Sequence, residues 1–262
     1  MKKMKRTLAL VCAALTLALV LAGCGSASTT TQPAPEATNT TYKIYSDNAF
    51  APFEYYDATT QKYVGLDMDI LAAIAEDQGF KYEVYNEGFD ASMGAVQSGQ
   101  ADGMIAGMTI TADRQKTFDF SDGYFEDGQI MVVAASSNIK SLDDLKGGVV
   151  AAKTSTQGAE YAKSIADKYG FTIQYYEDSP TMYTAVSNGT NVACFEDRSV
   201  IGWAIASEGL ALKTVGDVVN PGSYGFAVKK GENADLIKMF NDGLADIKKS
   251  GKYDEIMAKY GY

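Results

Sequence analysis

The sequence predicts an α/β protein that folds as two lobes. From residue 42 onward, short runs rich in β-branched and aromatic residues alternate with helical patterns, as in YKIYS, LDMDILAAIAEDQG and KYEVYN. This alternation is typical of βαβ units around a mostly parallel sheet. The pattern starts again at residue 130 with IMVVAA, and two lobes of about a hundred residues each match the usual size of a domain.

The first series contains three strands and two helices. Ile70, Leu71 and Ile74 recur at helical spacing, and Gly79 suits the left-handed residue that ends a helix. In chain order, the predicted elements are a strand at 42–46, a helix at 66–79, a strand at 81–86, a helix at 90–98 and a strand at 103–108.

The second series contains four strands, and more helices follow it. Periodicity alone does not show which lobe the last two helices join, and Gly251 separates them. The predicted strands are 130–135, 148–153, 171–176 and 191–197, with helices at 157–169 and 181–188 and a third that ends at 208; after the segment SYGFAVKKG come helices at 232–250 and 253–260.

The N-terminus has the layout of a secretory signal, with four cations followed by an apolar run over residues 8–22. It ends in Leu-Ala-Gly-Cys, which resembles the lipobox of bacterial lipoproteins. We therefore expect a signal peptide at 1–23, a lipid on Cys24, and a polar, proline-containing tether at 24–41. The resemblance implies an exported protein anchored on the outer face of the bacterial cytoplasmic membrane; the alternative is an ordinary signal with a chance cysteine.

Charge and composition argue against several classes of function. Loss of the four signal cations takes the formal net charge from −10 to −14, and an acidic protein does not favour nucleic acid. The sequence contains no histidine, so Cys194 lacks an activating base and is predicted to be a buried thiol. We expect no disulfide, no metal site, no cofactor and no catalytic residue, since dinucleotide and P-loop motifs are also missing.

A lone arginine stands out in AGMTITADRQKTFDFSDGY. Arg114 follows glycine and threonines at what the pattern predicts to be the start of a helix. The N-terminus of a helix repels cations and attracts anions, so an arginine there suggests that an anion binds beside it. The alternative is a salt bridge to Asp113, Asp119 or Asp122.

Several ordered motifs together resemble the polar amino-acid-binding proteins of bacterial ABC importers, above all those for glutamine and for lysine, arginine and ornithine. The motifs are SDNAFAPFEYY, KYVGLDMDILAAIAED, AGMTITADRQKTFDFSDGYF, VVAAKTSTQGAEYAK and GKYDEIMAKYG. The resemblance implies a two-lobe periplasmic-binding-protein fold of type II, with a ligand in the cleft between the lobes. It places lobe 1 at 42–123 and 225–262, lobe 2 at 129–219, and two hinge strands at 124–128 and 220–224.

The same resemblance implies roles for eleven residues. Arg114 would grip the α-carboxylate of an amino acid through two parallel hydrogen bonds, with backbone N–H groups near Thr109. Asp197 and the carbonyl of Gly107 would take the α-ammonium group. Two aromatic rings would enclose the aliphatic part of the ligand, and five polar residues would face its far end; these are Phe50 and Phe89, then Asp47, Lys153, Thr156, Gln157 and Glu196.

The identity of the amino acid stays open. Glu196 replaces a histidine and Gln157 replaces a glycine of the glutamine-binding pattern, whereas Lys153 is retained. If Arg114 and Asp197 neutralise the ligand's own charges, the remaining groups carry a net −1, which favours arginine, lysine or ornithine. Alternatively, Lys153 pairs with Glu196, and Asp47 then accepts hydrogen bonds from the carboxamide of glutamine. Cystine is not excluded.

The resemblance implies a receptor that delivers a free polar L-amino acid to a permease with a cytoplasmic ATPase. We expect a monomer with no catalytic role. An enzyme such as a cyclohexadienyl dehydratase, with Glu196 as the acid, and a free amino-acid sensor domain are the alternatives. A serine enzyme based on Ser137 and Lys140 is rejected because its companion motifs are missing.

Overall fold

The structure is a computed structural model that describes residues 40–262. The predicted signal peptide, Cys24 and nearly all of the predicted tether lie outside those residues. The tether was predicted to reach residue 41, but Thr41 is already the first residue of a strand. No helix in the described range combines the length and apolar character needed to cross a membrane.

The described chain is an α/β structure, as the alternating pattern predicts, but the expectation of a mostly parallel sheet is wrong, because antiparallel pairings are as frequent as parallel ones in both large sheets. In chain order the strands are β1 (Thr41–Ser46), β2 (Ala49–Phe50), β3 (Glu54–Asp57), β4 (Lys62–Val64), β5 (Lys81–Asn86), β6 (Gly103–Met104), β7 (Phe118–Phe120), β8 (Phe125–Ala134), β9 (Val149–Lys153), β10 (Thr172–Tyr176), β11 (Ala193–Asp197), β12 (Leu212–Tyr224) and β13 (Ala227–Lys229). The helices are α1 (Leu66–Gln78), α2 (Phe89–Ser98), α3 (Gln157–Tyr169), α4 (Ser179–Ser187), α5 (Arg198–Glu208), α6 (Ala234–Ser250) and α7 (Lys252–Lys259).

Two five-stranded sheets form the frame. The first has the order β5-β1-β6-β13-β7, with β1 parallel to β5 and β6, and β13 antiparallel to both neighbours. The second has the order β10-β9-β11-β8-β12, with β9 parallel to β10 and β11, and β8 antiparallel to β11 and β12. Strands β2, β3 and β4 make a small separate sheet that the sequence analysis did not predict.

Two long strands connect the sheets. β8 and β12 pair antiparallel, and their register joins Tyr224 to Phe125 at one end and Leu212 to Ala134 at the other. At the first of these ends, Thr109 forms a bridge with Tyr224, so the crossing strands contact the loop that follows β6. The chain therefore leaves the first sheet and returns to it along one continuous ribbon.

Alternation along β8 accounts for the two cores of the second sheet. Ile130 and Val132 pack with α4 and α5, whereas Met131 and Val133 point to the opposite face, where Ala162 of α3 packs. Side chains of a strand alternate between faces, so one apolar run serves both layers of helices. Cys194 belongs to the first of these cores and is fully buried, as the sequence predicted.

We call the part of the chain built around the first sheet the first half, and the part built around the second sheet the second half. The C-terminal helices pack on the first half. Buried residues of α6 and α7 join those of α1 and β1 in one apolar cluster that includes Ile74, Phe240, Leu244 and Ile256. Close contact between α1 and α6 depends on Gly243, because a Cβ there would lie 2.8 Å from Cγ2 of Ile74. This packing answers the question that periodicity left open.

Several predicted bounds shift for local reasons. The strand expected at 103–108 ends at Met104, and Gly107 takes a positive φ of 52°. The helix expected from residue 181 begins at Ser179, because the carboxylate of Asp178 accepts a hydrogen bond from the Thr181 backbone. The helix expected from residue 232 begins two residues later, at Ala234, whereas α3 has the predicted bounds.

The first turn of α3 packs directly on β11. A Cβ at Gly158 would lie 2.3 Å from the backbone oxygen of Phe195. We expect Gly158→Ala to lower the free energy of unfolding by about 1–3 kcal/mol, because helix and strand must separate. Urea unfolding measures this change. Gly202→Ala in α5 is the matched control: its Cβ meets nothing within 4 Å, so higher helix propensity should leave stability equal or raised. Equal stability of the two variants would contradict the prediction.

Candidate functional site

A polar cavity lies between the two sheets, and its empty space, counted out into open solvent, is about 330 Å³. All eleven residues that the sequence analysis singled out line it, so the structure brings the whole predicted set together. The first half contributes Asp47, Phe50, Phe89, Gly107, Thr109 and Arg114, and the second contributes Lys153, Thr156, Gln157, Glu196 and Asp197; Ala106 and Gly158 complete the lining.

Strand ends and helix starts position these side chains. Asp47 follows β1, Lys153 ends β9, and Asp197 ends β11 immediately before α5. The carboxyl ends of parallel strands meet at one edge of a sheet, which is where α/β proteins place their ligands. Thr156 caps α3 through its hydroxyl, which accepts from the Ala159 N–H at 3.2 Å and donates to the Lys153 carbonyl at 2.7 Å.

The guanidinium of Arg114 bridges the two halves. Nη1 donates to the Thr109 carbonyl at 2.8 Å, and Nη2 donates to the Ser155 carbonyl at 3.0 Å. Burial lowers the pKa of Arg114 to about 10, while the charge of Asp197 opposes the shift, so the side chain stays cationic at neutral pH. A guanidinium has five N–H donors, and the remaining ones are available to an anion.

The expectation that Arg114 opens a helix is wrong. Residues Arg114–Lys116 form a single 3-10 turn, which is too short for the helix dipole to have its usual strength. The alternative of a salt bridge also fails: Asp113 pairs with Lys116, and Asp119 pairs with Lys230. No salt bridge to Arg114 is present within residues 40–262.

Two aromatic rings flank the charged groups. Nζ of Lys153 lies 4.9 Å from the ring centre of Phe50, and Cζ of Arg114 lies 5.3 Å from that of Phe89. Cations over ring faces at such distances are attracted by the aromatic quadrupole. Both rings are also members of apolar clusters, so the core interpretation and the cavity interpretation hold together.

Lys153 forms a buried ion pair with Asp47 across the cavity. Burial disfavours the charged form of Lys153, but the charge and hydrogen bond of Asp47, together with the charges of Glu196 and Glu54, raise the pKa overall. The alternative in which Lys153 pairs with Glu196 and leaves Asp47 free is therefore not what the structure shows. An attractive partner of opposite charge at close range explains why the lysine can be buried at all.

Glu196 is held by hydroxyl groups instead of a cation. Its Oε2 accepts from Ser179 at 3.0 Å and from Tyr183 at 2.7 Å, and its Oε1 accepts from the Asp197 backbone N–H at 2.9 Å. Burial raises the pKa of Glu196, although Lys153 counteracts the rise. Sequence reasoning missed Ser179 and Tyr183, since neither belongs to a motif and both approach from α4.

Asp197 is the second buried carboxylate of the site. Nε2 of Gln129 donates to its Oδ1 at 2.5 Å, because the register of β8 and β11 sets these two residues opposite each other. Burial raises the pKa of Asp197 to about 7, and the nearby charges of Glu196 and Asp127 add to the rise. Gln129 was also missed; only the strand pairing, which sequence does not show, identifies it.

The described residues do not form a metal-binding centre. In the described part of the chain, no group of three or more histidine, cysteine, aspartate or glutamate side chains is arranged to hold a metal ion. The arrangement is instead one of fixed charges and hydrogen-bond donors around a polar cavity, which suits a small zwitterionic molecule.

Two α/β halves with a polar cavity between them are typical of proteins that bind small molecules. The profile of the bacterial extracellular solute-binding proteins, family 3, matches residues 42–262, and the chain belongs to this family. A probable histidine-binding protein of Neisseria gonorrhoeae is 33% identical over 250 residues, which cover 93% of this chain and 91% of the relative. The glutamine-binding protein GlnH of Bacillus subtilis is 30% identical over 271 residues, with 98% and 97% covered.

Solved structures confirm the expected fold. An ancestral arginine-binding protein bound to arginine is 35% identical with a TM-score of 0.78, covering 85% of this chain and 98% of that one. Substrate-binding domain 2 of GlnP from Lactococcus lactis, in an open conformation, is 42% identical with a TM-score of 0.58, covering 84% and 94%. The ancestral amino acid-binding protein AncCDT-1, a precursor of cyclohexadienyl dehydratase, is 31% identical with a TM-score of 0.76, covering 85% and 96%.

The buried state of Asp197 makes a pH-dependent prediction. Its pKa is raised on folding, so its contribution to stability is full below about pH 4 and is lost as pH rises through about 7. Asp197→Asn removes this loss. The melting temperature of the variant minus that of the wild type should therefore rise between pH 4 and pH 8, without added amino acid. Asp246→Asn, at an exposed position, is the control. If the difference in melting temperature between Asp197→Asn and the wild type changes with pH no more than that of the control, the raised pKa of Asp197 is contradicted.

Proposed function

We propose that the protein is the exported, lipid-anchored substrate-binding subunit of an ABC importer, that it captures a free polar L-amino acid, and that it hands the amino acid to a membrane permease as a monomer. One observation carries the proposal: a buried guanidinium and a buried carboxylate, Arg114 and Asp197, line the same cavity without a direct salt bridge between them. The carboxylate and the ammonium group of one amino acid would give each of these two side chains a partner of opposite charge.

Capture between closing halves is supported by contacts across the cleft. Besides the bond from Arg114 to Ser155, Asp90 accepts from the Ser155 hydroxyl, and Asp47 pairs with Lys153. Similarity to solved structures agrees, since the TM-score is higher with the arginine-bound protein than with the more identical open one. A ligand that contacts both halves favours the closed state by its difference in affinity for the two states.

A basic amino acid fits the charges best. Asp47 already has a cation in Lys153, so Glu196 is the carboxylate that faces the cavity with only neutral donors around its Oε2. A guanidinium or ammonium at the far end of the ligand would give that carboxylate a partner. The relatives are named as binding histidine, glutamine or arginine, which agrees with a ligand that has a polar side chain. Among these ligands, we propose that Glu196 favours the basic one.

Binding is proposed in preference to catalysis. The dehydratase alternative needs a general acid aimed at a leaving group, but all the donors around Glu196 hold it against the wall of the second half. The related AncCDT-1 is itself an amino acid-binding protein. Prephenate therefore belongs in the ligand screen as the compound that would support the enzyme.

The first test is a thermal-shift screen of the mature domain, stripped of ligand, against the twenty amino acids, ornithine, cystine and prephenate. Arginine, lysine or ornithine should raise the melting temperature, because a ligand of the folded state stabilises it by mass action. Arg114→Ala should abolish the shift for every α-amino acid and Arg114→Lys should weaken it, since lysine cannot make two parallel bonds. Arg198→Ala, an exposed arginine outside the cavity, is the control. An unchanged shift in Arg114→Ala would reject the assignment.

Selectivity should depend on Glu196. Glu196→Gln keeps the size of the side chain and removes its charge, so the ratio of dissociation constants for glutamine and arginine should fall at least tenfold. Isothermal titration calorimetry with both amino acids measures the ratio. Glu177→Gln, at an exposed position in the same half, controls for the loss of one negative charge. If the ratio is the same in both variants, Glu196 does not select the ligand.

A further inference from the structure

Two carboxyl groups are completely buried behind the cavity and are not part of its lining. Glu54 is the first residue of β3, and Asp67 is in the first turn of α1; both are 0% exposed. The start of α1 is held against this segment, because the Asp67 N–H donates to the Phe53 carbonyl at 3.0 Å. Gly65, with a φ of 141°, permits this approach, since a Cβ there would lie 2.0 Å from the Phe53 oxygen.

Asp67 connects the cavity to a crossing strand. Its Oδ2 accepts from the backbone N–H of Gly107 at 2.8 Å and from the hydroxyl of Tyr124 at 2.7 Å. Gly107 lines the cavity, and Tyr124 immediately precedes β8. One carboxylate oxygen therefore fixes a cavity residue and the point where the chain leaves the first half.

The other three oxygens of the two carboxyl groups lack donors. Within residues 40–262, Oδ1 of Asp67 and both oxygens of Glu54 accept no hydrogen bond. Two ionised carboxylates side by side, out of water and without donors, would be strongly unfavourable. A proton on Glu54 removes the conflict, because two carboxylates can only accept hydrogen bonds, whereas a protonated Glu54 can donate to Asp67.

The surrounding charges agree with a single shared proton. Burial, followed by the charges of Asp67 and Asp47, raises the pKa of Glu54 well above its usual range, and Lys153 opposes this only weakly. Burial raises the pKa of Asp67 to about 6, against the hydrogen bonds from Gly107, Tyr124 and Glu54. The one remaining negative charge lies in the first turn of α1, where the helix dipole favours it.

We propose that Glu54 and Asp67 share one proton and that this pair positions Gly107 and Tyr124, and so shapes the part of the cavity that receives the ligand's ammonium group. Both are positioning residues, because neither lines the cavity: Asp67 acts through Gly107 and Tyr124, and Glu54 acts through Asp67. The positioning of an ammonium group rests on the proposed function; the shared proton does not.

The shared proton is tested without ligand. In carbon-13 NMR of the wild type, the Glu54 carboxyl should remain protonated at pH 7, and the Gly107 amide resonance should move with the titration of Asp67. Glu54→Gln supplies a permanent donor to Asp67 and takes up no proton on folding. The folding constant of Glu54→Gln relative to the wild type should therefore increase up to about tenfold per pH unit above pH 5. The exposed Glu76→Gln is the control. An ionised Glu54 at pH 7, or a ratio that does not change with pH, would overturn the proposal.

The positioning role is tested by binding of arginine and glutamine. Asp67→Asn keeps an acceptor oxygen for Gly107 and Tyr124 and offers an amide donor to Glu54, so dissociation constants should stay within about threefold of the wild type. Asp67→Leu removes the acceptor and should raise them at least tenfold. Equal affinity in both variants would overturn the positioning role. If Asp67→Leu does not fold, the NMR titration of the wild type decides instead: a Gly107 amide resonance that does not move when Asp67 titrates would overturn the role. If neither amino acid binds the wild type while Glu54 is protonated, the proposed function fails and the shared proton stands.

Discussion

The main constraint on the structure is that each charged group in the cleft is shielded from water and so requires a partner within the protein. Two cations and three carboxylates line one cavity, and removing an ion from water is affordable only when opposite charge or several hydrogen bonds replace the solvent. Arg114 uses two carbonyls, Lys153 uses Asp47, Glu196 uses two hydroxyls and a backbone N–H, and Asp197 uses the amide of Gln129. The closed arrangement of the described chain therefore supplies a partner for each of these charges.

The partners also divide by half of the molecule. Glu196 and Asp197 are satisfied within the second half, through α4 and β8. Arg114 and Lys153, by contrast, each depend on a residue from the opposite half. Glu196 and Asp197 therefore keep their surroundings if the halves separate, whereas both cations lose a partner and Asp47 loses Lys153. Electrostatics thus couples the cationic side of the cavity to the approach of the two halves.

Local signals in the sequence were enough for much of the fold. The bounds of α3 follow from Thr156, whose hydroxyl caps the first turn, and from Gly170, whose left-handed backbone ends the helix. The sequence motifs identified eleven candidate site residues, and the structure places all eleven on one cavity. Sequence failed where tertiary contacts decide: the turn at Arg114 is too short for periodicity to describe, and the small sheet of β2, β3 and β4 has no apolar run of its own.

The same limit applies to the supporting residues of the site. Gln129, Ser179 and Tyr183 have no motif, because their importance comes from strand register and from the packing of α4. The choice of Asp47 over Glu196 as partner of Lys153 was equally beyond sequence reasoning, since both carboxylates were expected near the lysine. Motifs identify the groups that face a cavity; three-dimensional packing decides which of them neutralise each other.

The order of strands in the first sheet has a consequence for how the chain is made. β13, at Ala227–Lys229, is inserted between β6 and β7, whose residues precede it by more than a hundred positions. The first sheet is therefore incomplete until Lys229 has emerged, although its first strand begins at Thr41. All five strands of the second sheet are present by Tyr224 and need no later segment. Synthesis from the N-terminus thus delivers every strand of the second sheet before the inserted strand of the first sheet becomes available.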